Sequence, residues 1–177
     1  MRVKALILVP LVAVALTACA SQVTPVPTST EAVTEKPLFA TDEEALAAAQ
    51  VAYANYLEIS DQIARDGGAN PERLEGLVTK EQLQIELQNI SEYAVSGFHG
   101  EGETSFDSFH IADSDQQHFS AYLCVDVTNS KLINSKGEDV TPATRVNRWP
   151  LLVNYNFDSS GKVLISGSET WTGTNFC

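Results

Sequence analysis

Apolar residues recur along this chain with two periods, first near 3.6 and then two. Ala45, Ala48, Ala49, Ala52, Tyr56, Ile59 and Ile63 follow one another at intervals of three and four, which predicts a helix from Asp42 to about Arg65. Thr41-Asp-Glu-Glu44 opens it as a capping box, and Asp42 and Glu43 suit the positive end of the helix dipole. Asp66-Gly67-Gly68 ends it. Asn70-Pro71 predicts a short second helix, with Asn70 as cap and Pro71 in the first helical position, burying Leu74, Leu77 and Val78. Thr79-Lys-Glu-Gln82 repeats the capping box and opens a third helix, which carries Leu83, Leu87, Ile90 and Tyr93 or Ala94 and closes near Gly97.

Beyond Gly97 the alternation of a strand takes over. Residues 104–111 predict a first strand, and 118–128 a second, with Phe119, Ala121, Leu123, Val125 and Val127 on one face and Cys124 on the other. Residues 129–144 read as a polar connection. Residues 145–157 predict a third strand that aligns Trp149, Leu151, Val153, Tyr155 and Phe157; Pro150 within it calls for an edge or a bulge. Residues 163–171 predict a fourth, after a turn at 158–161. The fold class is therefore α+β, with three N-terminal helices on one face of a curved antiparallel sheet of four or more strands. Matching apolar faces of the last two strands sets Trp149 opposite Trp171, Leu151 opposite Glu169, Val153 opposite Gly167 and Tyr155 opposite Ile165.

The first residues follow a different pattern. Arg2 and Lys4 precede an apolar run over 5–15, broken only by Pro10, and Leu16-Thr17-Ala18-Cys19 follows at once. A basic head, a short apolar stretch and small residues at a cut site read as a secretory signal over 1–18. The stretch is shorter than the roughly 20 apolar residues a spanning helix needs. Leu-Thr-Ala-Cys resembles the lipobox of bacterial lipoproteins. That resemblance implies that Cys19 carries acyl chains of the palmitate type, begins the mature chain, and anchors it to the extracytoplasmic face of the cell membrane. Residues 20–37 are rich in Ser, Thr, Val and Pro and too poor in large apolar groups to offset their ordering entropy. The expected organisation is a signal peptide at 1–18, a lipidated cysteine and tether at 19–38, and one α+β domain at 39–177.

Charge narrows the partners. Eleven Lys and Arg stand against 23 Asp and Glu among the 177 residues, a formal net charge of −12. Such a surface repels phosphate backbones, so nucleic acid is not an expected partner. It also offers anionic lipid no electrostatic contact, which leaves the acyl chains to hold the anchor, at about 0.8 kcal/mol per buried CH₂. Of the three cysteines, the lipid would use Cys19. Cys124 and Cys177 are then expected to pair as a disulfide in an oxidising compartment. Because Cys124 lies on the polar face of its strand, the bond would fold residues 172–176 over the outer side of the sheet.

The candidate chemistry is sparse. In the register above, Glu169 sits on the apolar face, where desolvation would raise its pKa and suit it to general acid or base work, with Tyr53 or Tyr56 supplying a hydroxyl; the alternative is a bulge at Gly167 that turns Glu169 to solvent, or an ion pair with Arg145 or Arg148. Trp149, Tyr155 and Trp171, with Phe119 and Phe157, either fill the core or line a cavity for a small apolar ligand. Asp107, His110, Asp113, Asp115 and His118 flank one turn, but Asp-Ser-Asp there is ordinary turn chemistry and a calcium loop counted from Asp113 lacks its Gly and Glu. No metal and no cofactor is expected. Gly97, Gly100 and Gly102 follow a helix and precede a strand, the reverse of a dinucleotide-binding order. Asn89-Ile-Ser91 matches a glycosylation acceptor but falls inside a predicted helix.

The order of elements over about 130 residues resembles the cone-shaped fold of nuclear transport factor 2, ketosteroid isomerase and scytalone dehydratase. The lipobox, tether and Cys-ended domain together resemble actinobacterial lipoproteins. These resemblances imply a location and a fold and name no activity; the tether, the acidic surface and the lack of a convergent catalytic set favour a membrane-anchored module that binds a small molecule, a wall component or a partner protein. The alternative is a small isomerase- or dehydratase-like enzyme using Glu169 in an apolar cavity.

Overall fold

A computed structural model describes residues 39–114, 118–158 and 160–177. The expected signal, Cys19 and the tether lie outside the described residues, as does Asp115. The first predicted helix forms as α1, Asp42–Arg65. The Thr41 hydroxyl accepts from the Glu44 amide at 3.3 Å, and the Glu44 carboxylate reaches back to the Ala40 amide at 3.0 Å. Ala45, Ala49, Tyr53 and Ile63 are its buried residues. The Gly68 amide returns to the Ile63 carbonyl at 2.8 Å and ends the helix.

The second predicted helix shrinks to one 3₁₀ turn, Pro71–Leu74. Asn70 adopts a left-handed conformation (φ 53°) and makes no side-chain cap, and Glu75 leaves the turn extended at ψ 133°. The third predicted helix is α2, Lys80–Val95, capped by Thr79 onto the Gln82 amide. The chain therefore carries two α-helices among the described residues rather than three. None of them is long and apolar enough to cross a membrane.

Two antiparallel sheets follow. β1 (His99–Gly102) pairs with β4 (Ser130–Ile133). β2 (Ser105–Ser114), β3 (His118–Asp126), β5 (Arg148–Phe157) and β6 (Val163–Thr170) form a four-stranded sheet in the order β2-β3-β5-β6. β4 lies inside the segment read as a polar connection. Four residues give it too little alternation to stand out.

The β3–β5 ladder runs without a register break from His118–Asn156 to Asp126–Arg148. It faces Phe119, Ala121, Leu123 and Val125 with Tyr155, Val153, Leu151 and Trp149. These side chains, with Ile165 and the buried residues of α1, make the core between the helix and the inner face of the sheet. Pro150 costs this interior strand no ladder bond. Its carbonyl accepts from the Trp171 amide at 3.0 Å, so its missing N–H faces the point where β6 has ended.

The flanking strands depart from strict alternation. β2 carries a bulge at Ser108, whose φ is 54°. The extra residue lets Phe106, Phe109 and Ile111 all pack on the core although 106 and 109 differ in parity. In β6, Tyr155 opposes Ile165 as expected, but Ser166 is bulged out. Gly167 then opposes Asn154, Ser168 opposes Val153, Glu169 opposes Leu152 and Thr170 opposes Leu151. The expected pairs Val153–Gly167 and Leu151–Glu169 are thus shifted by one, and Trp149 and Trp171 do not face each other. The β6 edge is partly closed by residues 77–79: Ile165 donates to the Leu77 carbonyl at 3.0 Å and accepts from the Thr79 amide at 2.8 Å.

Gly102 joins the two sheets at φ +83°, and a Cβ there would lie 1.9 Å from the Asn129 carbonyl oxygen. Gly137 has a similar φ of +79° with nothing within 4 Å. Gly102→Ala is expected to destabilise by more than about 2 kcal/mol and Gly137→Ala by about 1 kcal/mol, because only the first adds a backbone collision to the left-handed strain. Paired urea melts measure the difference.

Candidate functional site

The space where a cone-like fold would hold a ligand is filled. Tyr155 is fully buried, with the rings of Phe119 and Phe109 at 5.5 and 6.5 Å. Tyr53 stacks edge-on against Phe106 at 4.9 Å. The Tyr56 hydroxyl donates to Glu86 at 2.9 Å, and Gln82 donates to the same oxygen. Burial pushes the phenols of Tyr53, Tyr56 and Tyr155 well above the ordinary tyrosine range; Asp61 adds to the rise at Tyr53, and Glu86 at Tyr56. All three stay protonated. Among the described residues, the Tyr155 hydroxyl has no hydrogen-bond partner.

Glu169 is exposed on the outer face of the sheet, because the bulge at Ser166 turns it there. It shares no face with Tyr53 or Tyr56, so the expected acid–hydroxyl set is not brought together. Trp149 packs against the core, whereas Trp171 sits on the outer face with Tyr122. The three aromatics read as one lining group are thus divided between two sides of the sheet.

The outer face is built around a clasp. Cys124 and Cys177 form a disulfide across a separation of 53 residues, with Cα atoms 5.7 Å apart. Tyr122 meets Trp171 at 5.1 Å and Phe176 at 6.0 Å, and His110 meets Phe176 at 5.6 Å. Residues 172–176 therefore return over the outer side of the sheet, as the position of Cys124 predicts. A Cβ at Gly173 would lie 2.4 Å from the Trp171 indole nitrogen, so only glycine lets the chain turn this closely over the ring. Arg148 anchors the return. Its Nε donates to the Cys177 carbonyl at 3.1 Å, while Nη1 and Nη2 hold Asp107 at 2.7 and 2.5 Å. These hydrogen bonds, helped by Ser108 and by the Arg148 charge, bring the Asp107 carboxyl down to about 2. Of the other members of the His/Asp set, His110 and Asp113 lie along β2 and His118 opens β3, and no three His, Cys, Asp or Glu groups among the described residues converge as metal ligands.

Two abutting clefts run along the second half of α1. The first, about 440 Å³, is lined by the apolar Ala54, Leu57 and Phe106 and by the charged Glu58, Asp61, Arg65 and Glu103. The second, about 310 Å³, lies between α1, Tyr93 of α2 and the β1–β4 sheet, and is lined by Arg65, Lys131, Arg145 and Glu101. Asp61, Arg65 and Thr104 belong to both. Both Asp61 oxygens accept from Thr104, at 2.8 Å from its amide and 2.9 Å from its hydroxyl. Arg65 donates to the Gly102 carbonyl at 3.2 Å. Arg145 donates to the Val127 and Ser130 carbonyls at 2.8 and 3.0 Å. Sequence reasoning missed these residues. Asp61 and Thr104 are 43 positions apart, and no local motif marks either. The only available signal was the gathering of scarce cations, which becomes visible only once β4 is placed.

Two outcomes follow. Asp107 contributes to stability above its ordinary carboxylate value, and that contribution is lost as pH falls through about 2. Arg148→Gln should move the Asp107 titration back toward the ordinary range and shift this loss to higher pH, as read by carboxyl NMR. Tyr155→Phe removes a buried unpaired hydroxyl and should stabilise the fold by about 1 kcal/mol in a thermal melt.

The sequence matches no protein family and no curated protein. Solved structures resemble it at low identity. The intermembrane space region of the chloroplast protein ARC6 is 14% identical with a TM-score of 0.52, covering 72% of this chain and 97% of that one. A protein from Catenulispora acidiphila, solved in complex with S-DNPA, is 10% identical with a TM-score of 0.52, covering 72% and 92%. The likeness is one of fold: a sheet-rich α+β domain.

Proposed function

We propose that this chain is a lipid-anchored, extracytoplasmic binding module, held to the cell membrane by acyl chains on Cys19 and not itself catalytic. The observation that carries the reading is the Cys124–Cys177 disulfide. It consumes two of three cysteines and leaves Cys19, which directly follows Leu16-Thr17-Ala18 and the apolar run. Disulfides of this kind persist in oxidising compartments, the setting that the lipobox-like ending also implies. Occupation of the interior by Tyr155 and its aromatic neighbours, and the outward position of Glu169, favour a module over an isomerase-like enzyme. The cone-fold kinship with nuclear transport factor 2 is the finer form of the same reading, supported by helices packed on one face of an antiparallel sheet. A small ligand or an envelope protein is the partner this module would take.

Mass spectrometry of the full chain made in a lipoprotein-processing bacterium tests the anchor. The expected product begins at a diacylated Cys19, and Cys19→Ser leaves the chain uncut and unacylated. Recovery of wild-type chain from the cytosol with residues 1–18 attached and no acyl group would overturn the proposal.

A further inference from the structure

We infer that the two abutting clefts form one groove for a short zwitterionic ligand, a peptide of two or three residues with free ends. The inference rests on the reading of this domain as a binding module and names the ligand class. Its first support is continuity. The clefts share Asp61, Arg65 and Thr104, so they adjoin along these three residues.

The second support is the sorting of charge. Glu58 and Glu103 line the first cleft alone, and Lys131 and Arg145 line the second alone. One end is thus acidic and the other carries two cations, Lys131 also pairing with Asp139 at 3.6 Å, with Asp61 and Arg65 at the junction. Glu101 is the one acid confined to the basic end. A simple anion would be drawn to Lys131 and Arg145 but repelled by the acidic end and by the net charge of −12. A simple cation would be repelled by the basic end. A molecule with an ammonium at one end and a carboxylate at the other suits both. The cleft against Ala47, Val51 and Val163 shows the contrast: Lys162 is its single charged lining residue.

The third support is length. Glu58 and Arg65 lie two turns apart on one face of α1, and seven residues rise about 10 Å along a helix. Extended peptide covers about 3.3–3.6 Å per residue, so three residues span that distance. A single amino acid is too short to reach from Glu58 to Arg65, the first cation beyond the acidic end. Preorganisation is the fourth. Thr104 fixes both oxygens of Asp61, and backbone carbonyls hold Arg65 and Arg145, so these side chains need little further ordering to meet a ligand. Most of the rim charges are exposed to solvent, so the affinity should fall as salt rises.

Trialanine is the probe, titrated into the ¹⁵N-labelled full chain in detergent micelles. The expected result is a set of shifts at the amides of Gly102, Thr104, Ser130 and Lys131. N-acetyl-trialanine and trialanine amide each lose one end charge and should bind about fivefold or more weakly, the loss expected for one charge-assisted hydrogen bond. Arg65→Gln and Glu103→Gln should each weaken trialanine by a similar factor. Among the described residues the Glu103 side chain makes no hydrogen bond that its loss could break, so an unchanged melt for that variant separates binding from folding. Glycerophosphoethanolamine carries the same charge pair with a phosphate in place of the carboxylate; tighter binding of this probe would overturn the peptide assignment. Absence of shifts up to about 10 mM trialanine, a Kd too weak for about 3 kcal/mol of binding, would sink the groove. So would equal binding of the capped forms. Acylation of Cys19 is read separately by mass, so failure of the groove is distinguishable from failure of the anchor.

Discussion

The unbroken ladder between β3 and β5 is the constraint on which the rest of the molecule depends. Its inner face presents four opposed apolar pairs to α1, and every member is either buried or packed against the core. Because side chains alternate in strict twos, this one register decides what all neighbouring segments must cover. The outer face of the same ladder carries Cys124, Tyr122 and Arg148, which hold the returning tail. One pairing therefore sets both the filled interior and the clasp.

Around that ladder, local irregularity does the positioning. Ser108 and Ser166 each add one residue to a flanking strand. The first bulge brings Phe109 inward, and the second turns Glu169 outward. Both break the parity of the regular strands, which is why the two ends of α1 and the apolar face of β3 are legible in the sequence, while the faces of Glu169 and Trp171 depend on whether a bulge intervenes. The Asn70-Pro71 signal failed for a related reason. It marks a helix start, but Gly76 at φ +73° and the parallel contact of Val78 with Ile165 take the next residues into an extended path. A tertiary contact at the β6 edge overrides a local start signal.

The disulfide was readable because cysteine arithmetic needs no geometry. The groove was not, since its charges come from α1, the β1–β2 connection, β4 and the segment before β5. Such sites become visible only when the chain is folded. The capping boxes at Thr41 and Thr79, by contrast, depend on residues three apart and transferred almost unchanged.

The two sulfurs of the clasp stand in different surroundings. Cys124 is fully buried, whereas Cys177 is partly open to solvent. An incoming thiolate therefore meets the Cys177 sulfur first, and the electrons of the broken bond must go to Cys124. Cys124, with none of its surface exposed, is itself shielded from attack. Until the tail drifts off, that same sulfur lies beside the mixed disulfide and can displace the intruder. The fastener is consequently open to attack at one sulfur alone and keeps the means of closing again beside it.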